Sequence, residues 1–456
     1  MSGAQADAQN EPTTSSPSSK PSLSELFAVF GKIGLISFGG PAGQIALMHR
    51  ILVDEKRWIS DARFLHALNY CMLLPGPEAQ QLATYTGWLL QGWRGGVLAG
   101  LLFILPGFFV ICALSVAYAL FQSENWFEVL FFGLKAAVLA IVIQALVRLA
   151  GRALKTPLAI SIAALAFVAI YVFAVPFPLI ILVAAIVGVA TAKTWQSGGG
   201  AQAADDDVLE DISRPKNPLR QALTTLVLGL GFWVAPVLLF VLIFGASTVF
   251  TDLAIFFSKL AVVTFGGAYA VLAYVAQEAV SGYGWLSSAE MLDGLAMAET
   301  TPGPLIIILT FVGFIAGFRD ATGLDPLTAG LLGAFLTTWV TFAPCFLWIF
   351  LGAPYVEGLR GNTKIAAALA AITAAVVGVI LNLAVWFTLN VLFRQVAPLD
   401  LGPIQAVWPE FTSLDPAAVV LSVIALVLTF VMRLGTLLML AILAALGGLA
   451  AALGLI

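Results

Sequence analysis

The stretch FGKIGLISFGG at residues 30–40, followed by LLPGP at 73–77, returns as FSKLAVVTFGG at 257–267 and TTPGP at 300–304. The two copies, 30–77 and 257–304, align without a gap at an offset of 227 positions and share 14 of 48 residues. The identical pairs are Phe30/Phe257, Lys32/Lys259, Phe38-Gly39-Gly40/Phe265-Gly266-Gly267, Trp58/Trp285, Ser60/Ser287 and Pro75-Gly76-Pro77/Pro302-Gly303-Pro304, with Ala46, Ala62, Leu65 and Leu68 completing the set. Short apolar segments interrupted by Gly and Pro at equivalent places in two halves are the signature of a secondary transporter.

The chain around this repeat is 61% hydrophobic and only 10% charged over 456 residues. A soluble fold of that length carries roughly 25% charged residues, so this is an integral membrane protein, all-α and polytopic. A net charge of -4 with scattered Lys and Arg excludes a nucleic-acid partner, which needs a concentrated basic face. Cys71, Cys112 and Cys345 lie in apolar stretches without metal-site or redox spacing and read as small buried hydrophobes. Residues 1–22, rich in Ser, Pro, Gln and Thr, read as a disordered tail. Residues 193–220, with Gly198-Gly199-Gly200 and Asp205-Asp206-Asp207, read as a cytoplasmic linker. The remainder divides into a first transporter repeat at 23–192, an extra transmembrane helix at 221–250 and a second repeat at 251–456.

Apolar stretches long enough to cross a hydrocarbon layer of roughly 30 Å occur near 95–121, 126–149, 222–247, 326–351 and 365–393. Shorter stretches at 156–173, 176–192, 416–432 and 434–456 predict one further hairpin closing each half. The repeated segments 24–38, 42–52, 62–74 and 78–93 are too short for simple crossings. They predict helices broken at Gly-Gly and Pro-Gly-Pro, re-entrant or discontinuous, whose irregular backbone is satisfied by protein or a watery cavity.

Basic residues concentrate on the cytoplasmic side. The first copy holds Arg50, Lys56, Arg57 and Arg63, whereas the second has no basic residue between Lys259 and Arg319 and carries Glu278 and Glu290. An odd crossing at 222–247 would invert the second copy, predicting two homologous halves in inverted topology. Cytoplasmic turns would then hold Arg148, Arg152, Lys155, Arg360, Lys364 and Arg433, with Arg319 and Arg394 as exceptions.

Lys32 and Lys259 each sit in an apolar segment shortly before a Phe-Gly-Gly. A mid-membrane ammonium costs at least about 3 kcal/mol, which a bound anion would offset; the alternative is that both lysines snorkel to the interface. Gly39-Gly40 and Gly266-Gly267 supply turns whose amides open the next helix towards an anion, and Pro75-Gly76-Pro77 and Pro302-Gly303-Pro304 do the same or simply make tight hairpins. These motifs, with Phe38 and Phe265, are the candidate substrate-binding residues. Glu78 and Glu299 beside the breaks are candidates for proton coupling if desolvated, against helix capping or a hydrogen bond to a lysine. His49 and His66 read as interfacial, and Asn69, Gln144 and Asn382 as interhelical hydrogen-bonding groups. No catalytic group, metal site or cofactor is expected, and a membrane enzyme is set aside for want of a nucleophile, metal cluster or nucleotide loop.

At Phe38-Gly39-Gly40-Pro41, Trp58-Ile59-Ser60, Leu74-Pro75-Gly76-Pro77-Glu78-Ala79-Gln80-Gln81-Leu82 and Phe103-Ile104-Leu105-Pro106-Gly107 the sequence closely resembles the chromate ion transporter family. Phe265-Gly266-Gly267, Trp285-Leu286-Ser287, Thr301-Pro302-Gly303-Pro304 and Ala371-Ile372-Thr373-Ala374-Ala375-Val376-Val377-Gly378-Val379-Ile380 look like that family's second domain, so the resemblance spans about 24–390 of a long, two-domain member. It implies chromate efflux and chromate resistance in a multi-pass protein of the bacterial cytoplasmic membrane, with antiparallel halves, lipid around it and sulfate as the look-alike anion. Pro41 and Glu78 become Ala268 and Leu305 in the second copy, so the half-sites need not contribute equally. Transport of sulfate or another tetrahedral oxyanion, and passive anion conduction, stay open beside it; a homodimer is the expected assembly.

Overall fold

The computed structural model describes residues 21–195, 217–265, 268–353, 363–402 and 404–454. Most of the expected tail and linker, together with Gly266 and Gly267, lie outside the described residues. The first half opens with α1 (Leu23–Ile36), α2 (Gly40–His49), α3 (Asp61–Cys71) and α4 (Glu78–Phe121). It continues with α5 (Asn125–Ala153), α6 (Pro157–Phe173), α7 (Phe177–Ala190) and the short α8 (Ala192–Trp195). After α9 (Pro218–Phe244), the second half runs through α10 (Val249–Val263), α11 (Ala268–Gln277), α12 (Ser288–Thr300), α13 (Ile308–Arg319), α14 (Pro326–Gly352), α15 (Thr363–Leu392), α16 (Pro416–Leu426) and α17 (Thr436–Ala452).

The duplication is reproduced element by element. Both α2 and α11 pass directly into a π-helical turn, Arg50–Glu55 in one copy and Glu278–Gly282 in the other. The shared serines have the same task in each copy: Ser60 Oγ accepts from Arg63 N at 3.3 Å and Ser287 Oγ from Glu290 N at 3.2 Å, capping α3 and α12. Pro77 and Pro304 each stand immediately before the next helical turn, beginning at Glu78 and Leu305 respectively. The first copy's fourth short helix and its long crossing are joined as α4, but non-helical backbone at Gln91 and Gly92, where φ is +62° at the glycine, breaks it between the two.

Among the described residues five helices, α4, α5, α9, α14 and α15, are long and apolar enough to cross a membrane, and shorter apolar helices close each half. In lipid, helix association depends on close packing rather than on escape from water. Accordingly Gly133 of α5 leaves no room for a Cβ against the Leu443 carbonyl of α17, and Gly378 of α15 none against the Ala163 carbonyl of α6. Each closing hairpin thus packs on the long helix of the opposite half: α6 and α7 on α15, α16 and α17 on α5. α9 packs along α14, where Trp339 Nε1 donates to the Phe232 carbonyl at 3.1 Å, and leaves Leu219, Leu228, Leu238 and Leu242 exposed.

The all-helical expectation needs one amendment. Between α15 and α16 the chain forms an antiparallel hairpin, β1 (Val396–Leu401) paired with β2 (Ile404–Pro409), which places Tyr171 Oη of α6 2.9 Å from the Val407 carbonyl it donates to.

Candidate functional site

Ser37 ends α1, and its hydroxyl turns back to donate to the Ile33 carbonyl at 2.6 Å; Thr264 at the end of α10 does the same to Leu260 at 2.5 Å. Their own carbonyls are left pointing outwards, as helix ends require partners from elsewhere. The partners come from the other copy. Gly76 N donates to Thr264 O at 2.8 Å, and Gly303 N donates to Ser37 O at 2.9 Å. Since 37 and 264, and 76 and 303, are equivalent positions, residue i of one copy bonds j of the other and the reverse holds too. Such reciprocity is the mark of a two-fold relation between the copies. Gly76 has φ +125° and Gly303 +99°, a backbone that side chains resist, and both are further hemmed in by the opposite half: Gly76 by Cys345 Sγ of α14, Gly303 by the Phe103 carbonyl of α4.

Around this crossing lies a void of 10 Å³ lined by equivalent pairs, Pro41 with Ala268, Pro77 with Pro304, Glu78 with Leu305 and Ala79 with Ile306, together with Gln44. The void therefore sits on the pseudo-two-fold axis. Gln44 Nε2 reaches across to donate to the Gly303 carbonyl at 2.5 Å, and its buried carbonyl oxygen has no partner.

A cavity of 630 Å³ leads to the same place and shares Pro41, Glu78 and Ala268 with the void. Its walls are the Gly39–Ala42 turn, one face of α3, the later half of α5, the start of α15, and Phe265, Tyr269 and Glu299 from the second copy. Glu299 is buried and accepts from Tyr269 Oη at 3.2 Å. From α5 come Ile141, Gln144, Ala145, Arg148, Leu149 and Arg152, spaced so that Gln144, Arg148 and Arg152 form a polar stripe one turn apart. Among the described residues no acid pairs with Arg148 or Arg152. The cavity thus offers two uncompensated guanidiniums, the amide-bearing starts of α2 and α4, and two carboxyl groups. Guanidinium forks and open helix starts are suited to a small oxyanion.

Of the candidate residues, Gly39, Gly40, Phe265, Glu78 and Glu299 line the cavity; Pro77 and Pro304 line the axial void; Pro75, Gly76, Pro302 and Gly303 build the crossing. Phe38 is half-buried beside it and does not line it. Lys32 and Lys259 are not brought in. Both side chains are exposed and neither lines the cavity, because α1 buries Leu26, Val29, Phe30 and Ile33 and turns Lys32 to the opposite face, as α10 does with Lys259. Positive charge at the cavity comes instead from Arg148 and Arg152, which looked like markers of a cytoplasmic turn.

A family model described as chromate transporter matches residues 24–189 and 251–449. The chain belongs to this chromate transporter family. Its relatives include a chromate transport protein of Pseudomonas aeruginosa, 35% identical over 79% of this chain and 79% of the relative. A probable chromate transport protein of Synechococcus elongatus is 31% identical over 79% of this chain and 83% of its own. A chromate transport protein of Cupriavidus metallidurans is 29% identical over 78% and 80%. No solved structure matches the chain. The two segments of the chromate transporter match each carry one set of broken helices, and the 630 Å³ cavity is lined from both.

Proposed function

We propose that this chain carries chromate out of the cell across the bacterial cytoplasmic membrane, and so confers chromate resistance, by alternating access around one site on the pseudo-two-fold axis. The observation that carries this is the cavity that ends where each Pro-Gly-Pro loop donates a backbone hydrogen bond to a helix end of the other copy, Gly76 to Thr264 and Gly303 to Ser37, with Arg148 and Arg152 on its wall and no acid paired with either among the described residues. The anion enters past the two arginines and is held at the inner end by the open amides of α2 and α4 and their counterparts in the second copy. The two copies lie in inverted orientation, so the axis runs in the membrane plane and the same site can be offered to either side. Glu299, with Tyr269 hydrogen-bonded to it, and Glu78 are the groups suited to carry a proton if anion exit is coupled.

The electrical driving force supports the outward direction. With the inside negative, a dianion leaving the cell gains about 2.3 kcal/mol per charge per 100 mV, about 4.6 kcal/mol in all. Purified protein in proteoliposomes should therefore move chromate with saturable kinetics and counterflow, and sulfate should compete. Absence of chromate flux under an imposed potential would defeat this function, and flux that never saturates would identify a passive pore.

A further inference from the structure

The duplication allows every wall of the cavity to be carried to its counterpart in the other half. The offset is 227 through the repeated short helices, so His66 of α3 corresponds to Asp293 of α12. Along the long helices it becomes 238, set by Ala136-Ala137-Val138 against Ala374-Ala375-Val376 and Gln144 against Asn382, so Ile365, Leu369, Ile372 and Thr373 correspond to Phe127, Phe131, Leu134 and Lys135. The first set lines the open cavity. The second set is shut.

Phe127, Phe131 and Leu134 are all buried, and the rings of Phe127 and Phe131 stack at 4.7 Å. The Tyr118 ring meets both, at 5.5 and 5.9 Å, and Phe311 at 5.2 Å. Its hydroxyl donates to Asp293 Oδ2 at 2.9 Å, while Lys135 Nζ stands 3.1 Å from Asp293 Oδ1. α12 packs closely along α5, whereas α3 and α15, their equivalents, are held apart with the cavity between them. Asp293 is buried and Lys135 half-buried, and a carboxylate taken out of water regains little net stability from one such partner.

We infer that Asp293, Lys135, Tyr118, Phe127 and Phe131 form a second anion-binding cavity in its sealed state, with Lys135 as the cation that faces the oxyanion once the Asp293 contact opens. This rests on the alternating-access reading. In the present conformation Asp293 occupies Lys135 as the cargo later would, so the carboxylate is a gate latch and the ammonium takes, for the opposite side, the part that Arg148 and Arg152 have in the open cavity. One negative group leaves the lysine as the dianion arrives, so the ammonium keeps an anionic partner in both states.

The test uses cysteine labelling in the full chain with Cys71, Cys112 and Cys345 replaced by Ala. Leu369→Cys, on the open wall, should react readily with a membrane-impermeant maleimide from the cytoplasmic side. Leu134→Cys should be protected from both sides until Asp293→Asn is added, when labelling from the outside should rise at least tenfold. The swapped pair Lys135→Asp with Asp293→Lys should restore protection, which an unfolded variant could not do. If Leu369→Cys is labelled but Leu134→Cys stays protected in the Asp293→Asn background, or stays reactive in the swapped pair, the latch is refuted while the cavity stands. If Leu369→Cys is inaccessible from the cytoplasm, the inward cavity itself, and with it the transport reading, falls.

Discussion

At the scale of single residues, the proposed function makes the cations of the cavity decide how an oxyanion is recognised. Arg148 and Arg152 line it without an acidic partner among the described residues, and a hydrogen bond to a charged group is worth about 1.5–3 kcal/mol. Arg148→Gln and Arg152→Gln should each raise the half-saturating chromate concentration in proteoliposome flux by roughly ten- to a hundredfold. Lys32→Met with Lys259→Met should leave flux within about twofold of the parent, because both amines are exposed away from the cavity. The sequence pointed to the lysines rather than the arginines for a physical reason. In lipid the outward face of a helix is as apolar as the inward one, so Phe27, Leu35 and Ile36 on the exposed side of α1 disguise which face Lys32 occupies. The arginines had a signal that went unused: Gln144, Arg148 and Arg152 recur every fourth position along the otherwise apolar later half of the helix, a spacing that selects one face.

At the scale of elements, the breaks were legible because Gly and Pro act on the backbone wherever the side chains point. The helix ends at Ile36 and Cys71 and the restarts at Gly40 and Glu78 fall at the motifs that named them. Their cost can be measured. A Cβ at Gly76 would stand 2.8 Å from Gln81 Nε2 and 2.9 Å from Cys345 Sγ on a backbone with φ +125°. Gly76→Ala should therefore destabilise the protein by about 1–3 kcal/mol and lower its thermal midpoint in detergent together with chromate flux. Gly31→Ala, in α1 with nothing within 4 Å of the added methyl, should hold or raise the midpoint, since Ala favours a helix by about 1 kcal/mol over Gly. A midpoint for Gly76→Ala equal to that of Gly31→Ala would remove the case for a strained crossing. The β-hairpin at 396–409 was not legible: Pro398 within the first strand and Gly402 after it read as loop, and pairing across a two-stranded ribbon leaves little periodic trace.

At the scale of the whole molecule, one gapless offset in the sequence already contained the duplication, but not the way the copies meet. That Gly76 bonds Thr264 while Gly303 bonds Ser37 depends on how the halves meet, which no single half specifies. The proposed inverted arrangement makes a direct prediction for exposed positions in the two equivalent loops. Cysteines at Lys56 and Ser281 should be labelled from opposite sides of the membrane, and labelling of both from one side would exclude inversion. The halves are also unequal where it matters, with Glu78 set against Leu305, Gln44 against Val271 and Lys135 against Thr373. The void at the centre, finally, is about the size of one water probe and far below a tetrahedral oxyanion. On the proposed path, cargo must part these loops to pass. An empty carrier would then be a plugged one, and a cell could keep many copies in its membrane without short-circuiting the gradients it lives on.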